Sequence, residues 1–297
     1  MKGLLMTVVA SLALPLMAAS ERRLVAGEKA SFSPDGTRLV FERLDGHRHK
    51  IGLAAVGSQA VEWVYDGPGQ ACQPAWTPDG SVVFTAGHHT NTAFVARNDP
   101  LGYNLWIWRK GEVRRLTAGR FREYAASVAP DGLVYFVSER FKPAKGATDV
   151  YSGNRTGIGR LDVRTGKVTC VAVMKAANAG MIDPVVSPDG QWLARAEVAE
   201  YRAPWRLVVS PLDKPDVRTY RTGEDMVAYA PAWSPDGSLL AFCGCRRGDD
   251  GWMVYVMPAT GGAMRKVAKG KNPSFSPDGR TLVYDREGVV YQMEVAP

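Results

Sequence analysis

The stretch "SFSPDGTRLVF" (residues 31–41) joins two short apolar segments through a Ser-Pro-Asp-Gly sequence. Pro fixes the φ angle required at the second position of a type I turn, and Gly adopts the left-handed conformation that closes a short hairpin loop. Five similar stretches follow: "AWTPDGSVVF" (75–84), "SVAPDGLVYF" (127–136), "VVSPDGQWLA" (185–194), "AWSPDGSLLAF" (232–242) and "SFSPDGRTLVY" (274–284). Each stretch predicts a β-hairpin, so the chain repeats one structural unit six times.

The spacing of the repeats indicates the size of the unit. The turn aspartates are Asp35, Asp79, Asp131, Asp189, Asp236 and Asp278. Their separations of 44, 52, 58, 47 and 42 residues suit a blade of four short strands with loops of variable length. The segment after most of the turns is a nearly continuous apolar run, which is typical of a strand covered on both faces. The repeats therefore predict an all-β fold, a six-bladed β-propeller of four-stranded blades.

The two ends of the chain predict how the ring closes. The sixth unit ends with "TLVYDREGVVYQMEVAP" (281–297), which supplies no fourth strand. The segment "ERRLVAG" (21–27) resembles "VRRLTAG" (113–119), the expected outer strand of the second unit. We therefore expect the N-terminal strand to complete the last blade of a single propeller domain spanning residues 21–297.

The N-terminus has the pattern of an export signal. One early Lys precedes an apolar run from Leu4 to Met17, and small residues follow at 18–20. This order of charged, apolar and small residues is typical of a signal peptide. An uncleaved anchor is the alternative, but the run is short for a membrane-spanning helix. We expect residues 1–20 to be removed near Ala19 and Ser20, leaving a periplasmic protein.

The "SPDG" hairpins, the "RRLT"-like outer strand and the export signal resemble the periplasmic TolB-type propellers. The resemblance extends from about Arg22 to Pro297, essentially the whole chain after the signal. It implies a binding or scaffold protein that engages a protein or peptide partner through the channel mouth and its flanking loops. TolB itself carries an α/β domain before its propeller, and we expect this chain to lack that domain. Membership of the Tol–Pal system is therefore left open.

The positive charge has two interpretations. The formal net charge is +7, and an anionic ligand such as an acidic glycan would account for it. Alternatively, cations in the outer strands prevent the strand edges of separate molecules from pairing. The cations expected there are Arg22, Arg23, Arg114, Arg115, Arg265 and Lys266. The chain lacks the aromatic-interleaved basic stripe of a nucleic-acid-binding protein, so we expect no nucleic-acid partner.

The four cysteines fall in different repeats. Cys72 lies in the second unit, Cys170 in an outer strand of the third, and Cys243 and Cys245 in the fifth. A disulfide across the ring would exceed the reach of the bond. The open alternatives are a strained Cys243–Cys245 disulfide or free thiols throughout.

The four histidines form two pairs in adjacent repeats. His47 and His49, and then His88 and His89, are expected in loops on one face of the ring. We expect these to be exposed loop residues, with no cofactor and no metal. The alternative is a divalent-metal site in a glycan-active enzyme, because propeller lyases that act on pectin fragments use histidines on one face.

The sequence contains no Gly-x-Ser-x-Gly, phosphate-binding or His-Glu-x-x-His motif, so we assign no catalytic residue.

The residues that lead into the inner strands are the candidate binding site. In a propeller they surround one end of the central channel, where a rigid scaffold supports a concave surface. Tyr124 and Tyr229 occupy equivalent positions, and tyrosine provides a large contact area at low entropic cost. The candidate ligand-binding residues are Lys29, Gln73, Tyr124, Asp183, Tyr229, Lys271 and Asn272.

Overall fold

The computed structural model describes residues 21–67, 69–87, 103–119, 121–141, 156–174, 179–200 and 202–295. These residues form six antiparallel sheets of four strands each. The innermost strand of each sheet contacts the innermost strands of the two neighbouring sheets, so that the sheets form a closed ring. The predicted six-bladed β-propeller is confirmed.

The strands follow chain order from the channel outward in the first five blades. Blade 1 comprises β2 (Glu28–Phe32), β3 (Arg38–Asp45), β4 (Arg48–Ala55) and β5 (Glu62–Tyr65). Blade 2 comprises β6 (Gln70–Trp76), β7 (Val82–Gly87), β8 (Asn104–Arg109) and β9 (Glu112–Arg115). Blade 3 comprises β10 (Glu123–Val128), β11 (Val134–Ser138), β12 (Gly157–Leu161) and β13 (Val168–Val173), with a 3₁₀ helix at Glu139–Phe141.

Blade 4 comprises β14 (Gly180–Val186), β15 (Trp192–Val198), β16 (Arg206–Pro211) and β17 (Thr219–Tyr220). Blade 5 comprises β18 (Met226–Trp233), β19 (Leu239–Arg246), β20 (Met253–Pro258) and β21 (Arg265–Lys269). Blade 6 takes β22 (Lys271–Phe275), β23 (Thr281–Arg286) and β24 (Val289–Glu294) from the end of the chain and β1 (Arg22–Ala26) from its beginning.

The predicted closure by the N-terminal strand is confirmed. Strand β1 pairs antiparallel with β24, with Arg22 opposite Gln292 and Ala26 opposite Val289. The side chains of Leu24 and Val25 are 1% and 2% exposed. Hydrogen bonds to β24 and burial of apolar side chains both hold β1 in place. The first strand of the protein is thereby joined to the last.

The aspartate side chain stabilises each Asp-Gly turn by accepting hydrogen bonds within the turn. Asp35 Oδ1 accepts hydrogen bonds from Ser33 Oγ at 2.5 Å and from the backbone N–H of Thr37 at 3.0 Å. These bonds hold the pKa of Asp35 at about 2, below its usual value. Gly36 has a φ of +72°, which explains the glycine at the fourth position. The predicted structural role of these aspartates follows from this bonding.

Adjacent blades are joined near the channel by indole hydrogen bonds. Trp76 Nε1 of blade 2 donates to the carbonyl oxygen of Ser31 in blade 1 at 3.1 Å. Trp233 Nε1 of blade 5 donates in the same way to Val185 in blade 4 at 3.2 Å. Trp76 and Trp233 therefore link adjacent blades, and the bulky residue before each turn lines the channel together with small side chains and prolines.

The cations assigned to outer strands are found in β1, β9 and β21, the outermost strands of three blades. Most of them are exposed. Residues 1–20, which carry the predicted signal peptide, lie outside the described residues. Within the described ranges, no helix is long and apolar enough to span a membrane.

Candidate functional site

A central channel with a volume of about 720 Å³ runs between the inner strands of all six blades. The turn prolines surround one end. The opposite end, where the inner strands begin, carries polar side chains. We define the channel mouth as the six residues that lie six positions before each turn aspartate: Lys29, Gln73, Ala125, Asp183, Ala230 and Asn272.

All six mouth residues adopt a left-handed backbone conformation, with φ between 48° and 54°. The pairing of every inner strand with its neighbour shifts register at this point, which is the signature of a β-bulge. Four of the six are followed by proline, at positions 74, 184, 231 and 273. Since proline has no N–H to donate to the ladder, it favours a bulge in a strand. At four of these bulges, the mouth N–H group donates to a side chain of the preceding blade.

Side chains from the preceding blade accept these N–H groups at two boundaries next to blade 1. The N–H of Lys29 donates to Asp285 Oδ1 of blade 6 at 2.9 Å. The N–H of Gln73 donates to Glu42 Oε2 of blade 1 at 2.8 Å. Both acceptors lie in second strands and are 3% exposed. Buried carboxylates thus connect blade 6 to blade 1 and blade 1 to blade 2.

Two further boundaries are bridged by the mouth side chains themselves. The N–H of Ala125 donates to Gln73 Oε1 at 2.8 Å, and the N–H of Ala230 donates to Asp183 Oδ2 at 3.0 Å. Between blades 3 and 4 the positions equivalent to these acceptors hold Ala125 and Val137, whose side chains cannot accept a hydrogen bond. The blade 3–blade 4 boundary therefore lacks this bridge.

The cation of the mouth is neutralised locally. Lys29 Nζ lies 3.0 Å from Glu42 Oε1. Burial alone would lower the pKa of Lys29, but Glu42 and neighbouring anionic groups raise it above its usual value. Lys29 is therefore charged and held against Glu42.

A second acidic group lies at the blade 6 side of the mouth. Asn272 Nδ2 donates to Asp285 Oδ1 at 2.8 Å. Burial raises the pKa of Asp285 to about 6, although the Lys29 and Asn272 donors oppose the rise. Because its donors are fixed by the fold, Asp285 acts as an acceptor that holds blades 6 and 1 in register.

Asp183 lies on the opposite side of the ring from Lys29, three blades away. Burial raises the pKa of Asp183 above its usual value, while the Ala230 N–H and, to a smaller degree, Lys29 lower it. No cation among the described residues lies within 4.0 Å of its carboxylate. Asp183 therefore presents a carboxylate to the channel without an ion-pair partner from the described part of the ring.

Tyr229 belongs to a row of aromatic rings beside the mouth. Its ring centroid lies 5.9 Å from that of Trp205 and 5.3 Å from that of Trp252. Trp205 and Trp252 immediately precede the third strands of blades 4 and 5, and all three rings are half-buried. We call Trp205, Tyr229 and Trp252 the aromatic row.

The remaining candidate residues differ in accessibility. Tyr124 is half-buried and hydrogen-bonds to Thr156, and burial raises the pKa of its hydroxyl to about 12. Lys271 is exposed at the start of β22 and pairs across the strands with Asp285. The fold thus gathers all seven candidate residues at one end of the channel, where their role in binding stays a prediction.

The described histidines do not form a metal site. His47 is exposed in the turn between β3 and β4, but His49 lies within β4 and not in the loop where we expected it. His49 Nδ1 is 4.0 Å from Glu42 Oε1. Within the described ranges, no group of three His, Cys, Asp or Glu residues could hold a metal ion. His88 and His89 lie outside those ranges.

The four cysteines are free thiols. Burial raises the pKa of Cys72 and of Cys243 to about 12. Since the thiolate is the reactive species, neither thiol is a nucleophile near neutral pH. For Cys243, hydrogen bonding from the backbone N–H of Asn272 lowers the pKa by less than burial raises it.

Sequence reasoning missed the second-strand acceptors and the two tryptophans of the aromatic row. A signal for the acceptors is present in the repeats. Glu42 and Asp285 both stand seven positions after a turn aspartate, each at the end of an apolar run. A charged residue at a repeated position of a buried strand indicates a specific partner, because charges are rarely buried alone.

The comparisons with known proteins support the fold and assign no family. No family model matches the chain. An uncharacterised protein of Agrobacterium fabrum is 29% identical over 108 residues, which is 35% of each chain. The chain therefore matches only about a third of the length of that curated relative.

The solved structures it resembles are propellers. TolB from Acinetobacter baumannii matches with a TM-score of 0.65 and 16% identity over 88% of this chain and 64% of that one. A candidate TolB from Agrobacterium tumefaciens matches with a TM-score of 0.64 and 16% identity over 91% and 90%. An oligogalacturonate lyase in complex with manganese matches with a TM-score of 0.57 and 14% identity over 93% and 90%. At these identities the likeness concerns the fold, which is that of TolB-like propellers.

Proposed function

We propose that this protein is a periplasmic binding or scaffold protein that engages a protein or peptide partner through the channel mouth and its flanking loops. The observation that carries the proposal is the construction of the mouth. Hydrogen bonds between blades fix its polar side chains, and the half-buried aromatic row lies beside them. Aromatic residues are enriched at the centres of protein interfaces, and polar residues form the rim around them.

The likeness to TolB-like propellers supports the same proposal, as does the export pattern of residues 1–20. An anionic glycan is a less suitable ligand for the mouth. It would face the carboxylate of Asp183, and Lys29 is already paired with Glu42. Like charges in a partly buried site disfavour binding.

Affinity capture tests the proposal. The protein without residues 1–20 is used as bait in extracts of the cell envelope, and the captured proteins are identified by mass spectrometry. We expect a reproducible partner that is lost, by tenfold or more, with the double variant Tyr124→Ala, Tyr229→Ala, because aromatic anchors at an interface typically contribute about 2 kcal/mol or more.

The matched control is Tyr220→Ala. Tyr220 is 40% exposed in the outer strand β17, away from the mouth. This variant should retain the partner. Capture of the same proteins by the double variant, or of none by the unaltered protein, would contradict the proposal.

A further inference from the structure

In blades 3, 4 and 5, the described inner-strand residues at and just before the mouth include a single charged group. In these three blades the mouth residues are Ala125, Asp183 and Ala230, and the residues just before them are Tyr124, Ile182 and Tyr229. Only Asp183 is ionisable near neutral pH among them. The mouth ammonium of Lys29 is three blades away and is engaged by Glu42 at 3.0 Å.

The backbone holds the Asp183 carboxylate beside the aromatic row. One oxygen, Oδ2, accepts the N–H of Ala230 at 3.0 Å. Tyr229 is the residue immediately before Ala230, so the same backbone segment fixes both the carboxylate and the tyrosine ring. The bond to Ala230 leaves acceptor capacity on the carboxylate, since an ionised carboxyl group can accept several hydrogen bonds.

Two described cations of blades 4 and 5 have partners of their own. Arg206 Nη1 lies 3.5 Å from Glu224, and its guanidinium stacks on Tyr220 at 3.8 Å on the outer side of blade 4. Arg246 Nε lies 3.6 Å from Asp225. Neither of these described cations neutralises Asp183.

The Asp183 carboxylate and the aromatic row are together complementary to one class of ligand group. A partly desolvated carboxylate without a counter-ion attracts an ammonium or a guanidinium group. The faces of tryptophan and tyrosine attract cations and also accept flat or apolar side chains. An acidic ligand would add a second uncompensated negative charge beside Asp183.

We propose that this part of the mouth selects an extended peptide segment of the partner, with a lysine or arginine side chain beside Asp183 and an adjoining apolar or aromatic residue on the aromatic row. The inference rests on the proposed function, because it specifies the chemistry of the peptide that the mouth binds. In this arrangement Asp183 selects the cationic residue, and Trp205, Tyr229 and Trp252 bind its neighbour.

Selection from a phage-displayed library of random heptapeptides tests the inference. The protein without residues 1–20 is immobilised, and the enriched peptides are sequenced. We expect lysine or arginine next to an apolar or aromatic residue in the peptides that the unaltered protein enriches. The variant Asp183→Asn keeps an acceptor for the Ala230 N–H but loses the charge, so its enriched peptides should lose the cationic preference. Asp225→Asn, which removes an exposed carboxylate of blade 5, should retain it.

A synthetic peptide gives a measurement that does not depend on the folding of any variant. Replacing the selected lysine by norleucine keeps the aliphatic chain and removes the charge. We expect the dissociation constant for the unaltered protein to rise about tenfold or more, as for the loss of a hydrogen bond to a charged group. Trp252→Ala should weaken the binding of the lysine and norleucine peptides by the same factor, because the aromatic row contacts the peptide residue beside that position.

The outcomes distinguish the inference from the proposed function. Enriched peptides without a cationic preference, or equal affinity for the norleucine peptide, would overturn the inference and leave peptide binding at the mouth intact. Enrichment of acidic peptides would also overturn it. Failure of the unaltered protein to enrich any peptide above background would overturn both.

Discussion

Removal of residues 21–27 will lower the free energy of unfolding by about 5 kcal/mol or more, and we expect the remaining chain to aggregate or to unfold without a cooperative transition. The segment contains β1, whose Leu24 and Val25 side chains are 1% and 2% exposed. Burial of each such aliphatic side chain contributes about 1.5–3 kcal/mol, and the β1–β24 hydrogen bonds are lost with it. The total stability of a natural domain is only about 5–15 kcal/mol. The deletion also exposes β24 as an open edge, which promotes association.

Point variants within β1 provide the matched control for the deletion. Leu24→Ala should lower the free energy of unfolding by about 2–5 kcal/mol, as for other large-to-small changes in a core. Arg23→Ala, at an exposed position of the same strand, should change it by less than about 0.5 kcal/mol. Urea unfolding followed by circular dichroism measures all three. An unchanged midpoint for the deletion would show that β1 does not close the ring.

The second large effect concerns a buried ion pair in blade 4. Arg195 is fully buried, and its Nε donates to Glu197 Oε1 at 2.6 Å while its Nη1 donates to Ser210 Oγ at 2.5 Å. Burial lowers the pKa of Arg195, and Glu197 opposes that shift. Glu197→Gln should lower the free energy of unfolding by about 3–5 kcal/mol, because it leaves a buried guanidinium without a counter-ion.

The control for this variant is the same substitution at the surface. The Glu224 side chain is 79% exposed and lies 3.5 Å from Arg206. Glu224→Gln should cost less than about 1 kcal/mol, as is usual for exposed ion pairs. Equal losses of stability for Glu197→Gln and Glu224→Gln would show that the blade 4 pair is not the structural element that its burial indicates.

The repeated turns explain why so much of the fold could be predicted. A Ser-Pro-Asp-Gly turn is determined by its own residues: Asp35 bonds Ser33 and Thr37, and Gly36 supplies the left-handed conformation. The same local chemistry repeated six times fixes the number of blades. The similarity of residues 21–27 to residues 113–119 predicted closure, because both segments are outer strands.

The mouth could be located from the sequence, but its bonding could not. The left-handed conformation of Lys29, with φ of +49°, is maintained by the bond from its N–H to Asp285, a residue 256 positions away. No local pattern specifies such a contact, since it depends on the register of two blades. Trp205 and Trp252 approach Tyr229 for the same reason, because each precedes a third strand whose register places the ring beside an inner strand.

The central claim is that a partner binds at the channel mouth, and site-specific photocrosslinking in the source organism tests it most directly. A photoreactive phenylalanine analogue replaces Lys271, which is exposed at the mouth end of β22, or Arg280, which is exposed at the opposite end of the same blade. We predict an adduct of defined mass at position 271, reduced by the double variant Tyr124→Ala, Tyr229→Ala, and none at position 280. Adducts at position 280 alone, or of equal yield at the two positions, would contradict binding at the mouth.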